Sequence, residues 1–377
     1  MRIGIDARFY GVKSKGLGRY TQKLIENLES IQEEDSFYEY FVFLRKDNFK
    51  EYEPKNKNFR KVLADYQWYS FSEQINMPRI LNKYKLDLVH FPHFNVPIFY
   101  RKPFVLTIHD LILLHFPTMR STTLSPVFYW VKFLAYKKVI GSAIKRAKKI
   151  ITVSEFTKND ILENYEKAEE KIEVTYEACD DLESGMDVGF RDDQLKKYGI
   201  IKPYILYVGN AYPHKNLEKL VKAFGDISDK NLSLVLVGRT DCFYKKVKRI
   251  VGENSIKNII FTNFVLDGDL NKIYENAKAY VFPSLYEGFG LPPLEAMERG
   301  VPVISSSHGC MKEILGEAAF YFDAKNKDEI KKAIDRISAD KNLRRNLIEK
   351  GKQQVNKYSW RRMAEETLKI YLCTRIS

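Results

Sequence analysis

Short apolar runs recur along the chain, separated by stretches whose apolar positions fall three and four residues apart. The first pattern has the period of a buried strand and the second that of an amphipathic helix. The second half shows both most clearly. "YILYVG" (204–209), "LSLVLVG" (232–238), "NIIFTNFV" (258–265), "AYVFPS" (279–284), "VPVISS" (301–306) and "AAFYFD" (318–323) predict strands, and "NLEKLVKAFGDI" and "DLNKIYENA" predict helices between them. In the first half "MRIGID", "YFVFLR", "LDLVHF", "PFVLTIHD" and "KKIITVS" predict strands. "GRYTQKLIENLESI" and a long stretch over about 125–149 predict helices there. Strands that alternate with helices make βαβ units and a mostly parallel sheet. "ESGMDVGFRDDQLKKYGIIKP" is charged and carries glycines and a proline, so it reads as the boundary, near 185–200. The expectation is two doubly wound domains facing across a cleft, 1–190 with about 360–377, and 195–358. Ligands then sit outside the carboxyl ends of the strands.

Length agrees with two domains, because 377 residues exceed one ordinary core. No apolar run reaches the ~18 residues that span a bilayer, and the N-terminus reads as a first strand rather than a signal peptide. Cys179, Cys242, Cys310 and Cys373 form no CxxC pair, which points to reduced thiols in a cytoplasmic protein. Charge adds one feature. The net +13 is uneven: 111–154 holds no acidic residue but carries Arg120, Lys132, Lys137, Lys138, Lys145, Arg146, Lys148 and Lys149. Such a stretch is either a solvated helix face or a surface that attracts an anionic partner. No helix-turn-helix, zinc finger or RNP-type motif accompanies it, so nucleic acid is not expected.

Candidate chemistry lies where predicted strands end. In "GIDARFYGVKSKGLGRYTQKL" a strand ends near Asp6 and a helix starts near Gly18, with Gly16 and Gly18 open to close backbone approach. The spacing is not GxGxxG, so a tight strand-to-helix turn explains it equally well. His109 and Asp110 end an apolar strand, where the imidazole can donate to a hydroxyl or shuttle a proton. His90, His93 and His115 lack metal-ligand spacing, and no HExxH, EF-hand or Walker motif occurs, so no metal is expected. Lys215 stands before a helix capped by Asn216, either aimed at an anion or simply exposed. "YEGFGLPPLEAMERGVPV" (286–303) carries Glu287 in a glycine loop, Pro292 and Pro293 at a helix start, Glu295 within about the first turn and Gly300 at the stop. Amides between two carboxylates suit a nucleotide-sugar. Dipole-favoured placement explains Glu295 as well.

These stretches together resemble family 4 of the retaining glycosyltransferases. "YEGFGLPPLEAMERGVPVISS" is similar to its E-x7-E signature. "KGLGRYTQKL", "PFVLTIHDLILLHFP", "IITVSEFTKNDI", "YILYVGNAYPHKNL", "NFVLDGDLNKIYENAKAYVFPSLYEGFG" and "YSWRRMAEETLKIY" follow in family order over nearly the whole chain. The resemblance implies the GT-B fold, with a last helix that crosses back to the first domain. It implies that Glu287 holds hydroxyls of the donor sugar, with Phe289, Gly290 and Leu291 near sugar and diphosphate, and that Glu295 holds the ribose. Lys215 neutralises the diphosphate, Gly16 closes the first loop on it, His109 contacts the transferred sugar, and Val265 and Leu270 line the base pocket. The family's usual arginine beside the lysine is absent: Asn210 and His214 stand there, and Arg239 is the candidate second cation. The usual Asn-Gly-Val-Asp after "VSEF" is "YEACD" (176–180).

The activity implied is a retaining, metal-independent hexosyl transfer from a nucleotide-diphosphate-sugar, with no cofactor. Positioning and charge stabilisation would carry it, with domain closure assembling the site. GDP-mannose is the first choice of donor, with UDP- and dTDP-sugars open. The acceptor is a saccharide or lipid-linked saccharide of surface polysaccharide synthesis. "PVFYWVKFLAYKKVIGSAIKRAKKI" mixes aromatics and lysines on a predicted helix, so peripheral contact with the anionic inner face of the cytoplasmic membrane is expected, against a helix that packs its rings inside. The rivals are a nucleotide-sugar epimerase and a nucleotide-sugar-binding scaffold.

Overall fold

A computed structural model of the chain describes residues 1–11, 14–33, 37–117, 126–179 and 193–374. It divides into two compact units, Met1–Glu177 with Ser359–Ser377, and Ala178–Tyr358. Residues 185–192 of the predicted boundary, with Asp180 and Arg120, lie outside the described residues.

The first unit is built on a parallel sheet of seven strands in the order β3-β2-β1-β4-β5-β6-β7. These are β1 (Arg2–Asp6), β2 (Glu39–Leu44), β3 (Phe59–Leu63), β4 (Leu88–Phe91), β5 (Phe104–Ile108), β6 (Lys149–Thr152) and β7 (Ile172–Val174). Its helices are α1 (Lys15–Ile31), α2 (Phe71–Lys83), α3 (Ile112–His115), α4 (Pro126–Arg146) and α5 (Glu155–Asn164). The two strands that the sequence pattern missed, β3 and β7, are the two edges. "FRKVL" buries only Phe59 and Val62, and "IEV" is three residues long. An edge needs only one apolar face and tolerates charge, so its pattern is weak. The central strands are buried on both faces and read as continuous apolar runs.

The second unit repeats the design with six parallel strands in the order β10-β9-β8-β11-β12-β13. They are β8 (Tyr204–Val208), β9 (Ser233–Val237), β10 (Ile259–Asn263), β11 (Ala279–Phe282), β12 (Val303–Ser306) and β13 (Ala319–Phe322), all within predicted runs. Its helices are α6 (Asp193–Lys197), α7 (Leu217–Gly225), α8 (Cys242–Glu253), α9 (Asp267–Glu275), α10 (Leu291–Glu298), α11 (Gly309–Leu315), α12 (Lys327–Ala339) and α13 (Lys341–Val355). Helix starts follow capping chemistry: Asp241 accepts from the Phe243 and Tyr244 amides, and Asp340 from that of Leu343. The last helix, α14 (Trp360–Thr374), belongs to the first unit and packs on α1. Tyr371 pins it there, its hydroxyl 2.6 Å from Nδ1 of the buried His90, whose Nε2 meets Thr107 at 2.7 Å. Burial pushes the His90 imidazole down to about 3, so it stays neutral.

Candidate functional site

In the second unit the chemistry gathers where β8 and β11 end. The chain leaves β8 into a 3-10 turn at Pro213–Lys215. Asn216 then takes a left-handed conformation at the N-cap position of α7. Its side chain does not cap the helix as expected. Its amide donates to the carbonyls of Pro283 (3.2 Å) and Ala324 (2.7 Å), tying the loop to the segments after β11 and β13. The Leu285 amide donates to the His214 carbonyl (2.7 Å) and fixes the two loops against each other. His214 is buried, and burial with the neighbouring Lys215 lowers its imidazole to about 4, so it adds no charge.

Lys215 and Glu287 meet in this corner. The Lys215 ammonium donates to Glu287 Oε1 at 2.6 Å and lies 5.5 Å from the centre of the Phe282 ring. Their side chains are 15% and 10% exposed, so the pair is shielded without being sealed. An ammonium carries three protons. Among the described residues Glu287 is its only hydrogen-bond partner, which leaves donor capacity for an anion.

Beyond Glu287 the backbone turns through Gly290 (φ 97°), which stands at the N-cap of α10 with no side-chain cap. A β-carbon there would sit 2.6 Å from Met311 Cε. Pro292 and Pro293 occupy the second and third helical positions and have no N–H. The helix start therefore offers fewer amides than a four-donor cradle. Glu295 is the fifth residue of α10, which begins at Leu291. Its carboxylate accepts from the Tyr274 hydroxyl at 3.2 Å, a partner that sequence spacing did not reveal.

The remaining donor-side candidates are spread around the same sheet edge. Asn210 is half-buried, and its side-chain oxygen accepts from the Tyr212 amide (3.2 Å). Arg239 is exposed just past β9. Val265 is buried and Leu270, on α9, is half-buried; the exposed apolar surface beside them belongs to Phe264 and Leu266.

In the first unit α1 starts at Lys15, earlier than Gly18, because Lys15 takes a left-handed conformation (φ 55°) that turns the loop into the helix. Gly16 is then a helical residue, with nothing within 4 Å of an added β-carbon. Gly18 is the close-packed one: a β-carbon would meet the carbonyl oxygens of Gly11 at 2.0 Å and Phe9 at 2.7 Å.

His109 is half-buried and fully engaged. Nδ1 faces Glu177 Oε1 at 3.0 Å, Nε2 faces the Pro92 carbonyl at 3.0 Å, and the ring stands edge-on to Tyr20 at 4.7 Å. Burial opposes charge on the ring, but the Glu177 carboxylate and the Pro92 carbonyl outweigh it and raise the imidazole above its ordinary value. Two acceptors on two ring nitrogens select the doubly protonated cation. The imidazole expected to donate to a hydroxyl or shuttle a proton thus faces an acceptor at each ring nitrogen. Glu177 comes from the "YEACD" segment, where no motif marked it. His115, on α3, meets Asp160 at 2.7 Å.

A third group was invisible to spacing. Arg8 is buried, donates to Asp6 (2.7 Å) and Glu73 (2.6 Å), and Asn95 donates to both oxygens of Glu73 (2.8 and 2.9 Å). Burial raises the Glu73 carboxyl even against Arg8. Glu73 also accepts from the Tyr69 amide at 2.8 Å, which fixes Tyr69 in a left-handed conformation (φ 59°) at the carboxyl ends of the strands.

Comparison with known proteins adds a family and a fold. "Glycosyl transferases group 1" matches residues 190–354 and "Glycosyltransferase Family 4" matches 14–181. The chain is 27% identical over 375 residues to O-antigen chain mannosyltransferase B of Escherichia coli, covering 94% of this chain and 95% of that one. It is 28% identical over 272 residues to the O-antigen chain mannosyltransferase RfbU of Salmonella typhimurium, covering 72% and 70%. Among solved structures, HepE of Anabaena in complex with UDP-glucose matches with TM-score 0.73 at 15% identity, over 98% of this chain and 99% of that one. Sucrose-phosphate synthase of Thermosynechococcus elongatus matches with TM-score 0.72 at 19% identity, over 98% of both chains.

Proposed function

The chain belongs to the family 4, group 1 glycosyltransferases with the GT-B fold, and on that premise we propose that it moves a mannosyl residue from GDP-mannose to a saccharide or lipid-linked saccharide, with retention and without a metal. The observation that carries the reading is the shielded Lys215–Glu287 pair beside the uncapped turn at Gly290. The donor's diphosphate competes for the ammonium protons that Glu287 does not use, and Glu287 accepts from sugar hydroxyls. Phe289, Gly290 and Leu291 present backbone to the diphosphate, Glu295 accepts from the ribose, and Val265 and Leu270 lie on the base side. Arg239, Asn210 and Gly16 are the further donor contacts. Relatives named as O-antigen mannosyltransferases support mannose and a glycan acceptor.

In the proposed step the bond from C1 of the sugar to the diphosphate breaks and a bond from C1 to the acceptor oxygen forms on the same face. The acceptor proton passes to the departing phosphate oxygen, and GDP leaves. Lys215 stabilises charge that grows on that oxygen, the usual largest contribution in a preorganised site. His109 enters as a cation locked between Glu177 and Pro92, so contact of its ring with the sugar requires exchange of one partner.

Among the described residues no helix is long and apolar enough to cross a membrane. We propose peripheral contact instead. On α4, Trp130, Val131 and Leu134 are exposed beside exposed Lys132, Lys137 and Lys138, and lysines near an anionic surface each contribute ~1 kcal/mol. Flotation with phosphatidylglycerol vesicles at low salt tests this, and failure to float refutes it.

Transfer itself is tested by incubating the chain with GDP-mannose and a mannoside acceptor, with and without EDTA, and following the anomeric protons of the product. An α-linked product from the α-configured donor, formed equally in EDTA, is expected. A β-linked product refutes retention, EDTA sensitivity refutes metal independence, and a product formed without acceptor refutes transfer.

A further inference from the structure

The first unit carries a continuous file of aromatic rings that the reaction above does not use. Trp68 stacks on Phe9 with centroids 4.3 Å apart, and Phe9 meets His93 at 5.2 Å. His93 meets Phe94 at 3.9 Å, and Phe94 meets Tyr136 of α4 at 4.9 Å. From Tyr136 the file climbs α4 through Phe133 (6.3 Å) to Trp130 (5.7 Å), where Trp130, Val131 and Leu134 are exposed. Its inner end lies at the carboxyl ends of four strands: Phe9 follows β1, Trp68 and Tyr69 follow β3, His93 and Phe94 follow β4, and Asp110 follows β5.

Three features mark the inner end as a place for a polar ligand with an apolar face. Trp68 Nε1 and His93 Nδ1 are buried polar atoms with no hydrogen-bond partner among the described residues, which is costly unless something else meets them. Tyr69 is 64% exposed, touches both His93 and Phe94 at 6.2 Å, and is held in its left-handed conformation by the Glu73–Arg8–Asn95 frame. Asp110 stands just past β5, where its Oδ1 accepts from the Ile112 amide at 2.9 Å, and its charge acts on the hydroxyls of both Tyr69 and Tyr136. Rings for the apolar face of a pyranose, with a carboxylate for its hydroxyls, are the usual makings of a saccharide subsite.

We infer that this ring file is the acceptor track: Tyr69, His93 and Asp110 hold the acceptor's terminal sugar, and the exposed end of α4 takes the apolar chain of a lipid-linked acceptor. The inference rests on the proposed transferase reading and deepens it by naming the acceptor class. The lysines beside the outer end fit that occupant, because Lys132, Lys137 and Lys138 are exposed in a stretch free of acidic residues and would meet the phosphate that joins lipid to sugar. Continuity matters most here: one unbroken file joins the exposed apolar patch to the strand ends, so a single amphipathic ligand can occupy both.

Titration with methyl and octyl α-mannoside tests this, read by tryptophan fluorescence and by transfer, with GDP and UDP binding measured alongside. Wild type should bind octyl mannoside at least ~10-fold more tightly than the methyl compound, since each buried methylene adds about fourfold. The double variant Trp130→Ala, Leu134→Ala should lose that difference. Tyr69→Ala should weaken both mannosides about equally, by roughly 10-fold, a loss typical of an aromatic anchor. All variants should keep the wild-type nucleotide affinity. Phe37→Ala, exposed before the amino end of β2, should behave as wild type throughout and report on folding by its melt. Equal binding of both mannosides to wild type, a retained octyl advantage in the double variant, or unchanged binding by Tyr69→Ala overturns the inference. Failure of wild type to bind either nucleotide would instead count against the transferase reading itself.

Discussion

Each unit places a cation against a glutamate at the carboxyl ends of its strands, and the two pairs differ in what they leave over. Lys215 gives one proton to Glu287, and an ammonium has two more to give. His109 gives both protons away, one to Glu177 and one to the Pro92 carbonyl. The first pair is unfinished and suits a ligand; the second is complete and suits a scaffold. A charged pair is therefore not a sign of chemistry until its hydrogen-bonding capacity has been counted.

Lys215→Ala gives the largest expected effect, with turnover falling by about 100-fold or more for loss of one preorganised donor. Glu287→Gln should fall similarly while keeping its shape; Glu287→Ala is less clean, since an unpaired shielded cation costs ~3–5 kcal/mol of stability. Turnover within about threefold of wild type for Lys215→Ala would erase the contrast between the two pairs.

The glycines of the first loop sharpen it next. Gly18→Ala drives a β-carbon into two backbone carbonyls and should cost about 3 kcal/mol or more, seen as a lowered denaturation midpoint. Gly16→Ala meets open space and should melt as wild type does. The reverse order would mean that Gly16, and not Gly18, positions the loop.

Glu177→Gln should act on stability more than on donor binding. His109 has its folded value raised, so its pair stabilises fully below the ordinary imidazole value of about 6.5 and loses that contribution as pH rises through the folded value. Denaturant melts should show the wild type ahead of Glu177→Gln by about 1–3 kcal/mol at pH 6 and by less at pH 9. A gap that widened with pH would show His109 neutral in the fold.

Tyr371→Phe is the smallest effect, removing one hydroxyl from the neutral His90 network for about 1 kcal/mol. Catalysis should be untouched.

The same contrast explains what the sequence made legible. The strands of the second unit were all readable because they are continuous buried runs, whereas β3 and β7 were lost to the weak patterning of edges. Lys215 and Glu287 were readable because each stands in a glycine- or proline-punctuated loop after an apolar run. Glu177 sits in no such loop, and it acquires meaning only when β5 brings His109 to it from 68 residues away. Arg8 and Glu73 are 65 residues apart and equally silent. Residues that hold a backbone in place are set by tertiary contact, and their type alone does not separate them from solvated charges. Glu295 shows the finer limit: its helix was expected, but its partner Tyr274 lies on α9, a different helix.

The most direct test of the unfinished pair is calorimetric titration of wild type and Lys215→Ala with the nucleoside diphosphate, GDP or UDP, that wild type binds more tightly, and with its monophosphate. The diphosphate should bind the variant about 10- to 100-fold more weakly, as expected for loss of a charge-assisted contact, while the monophosphate binds both proteins within about threefold. Equal diphosphate affinity in the two proteins, or no binding of either nucleotide to wild type, would contradict the account.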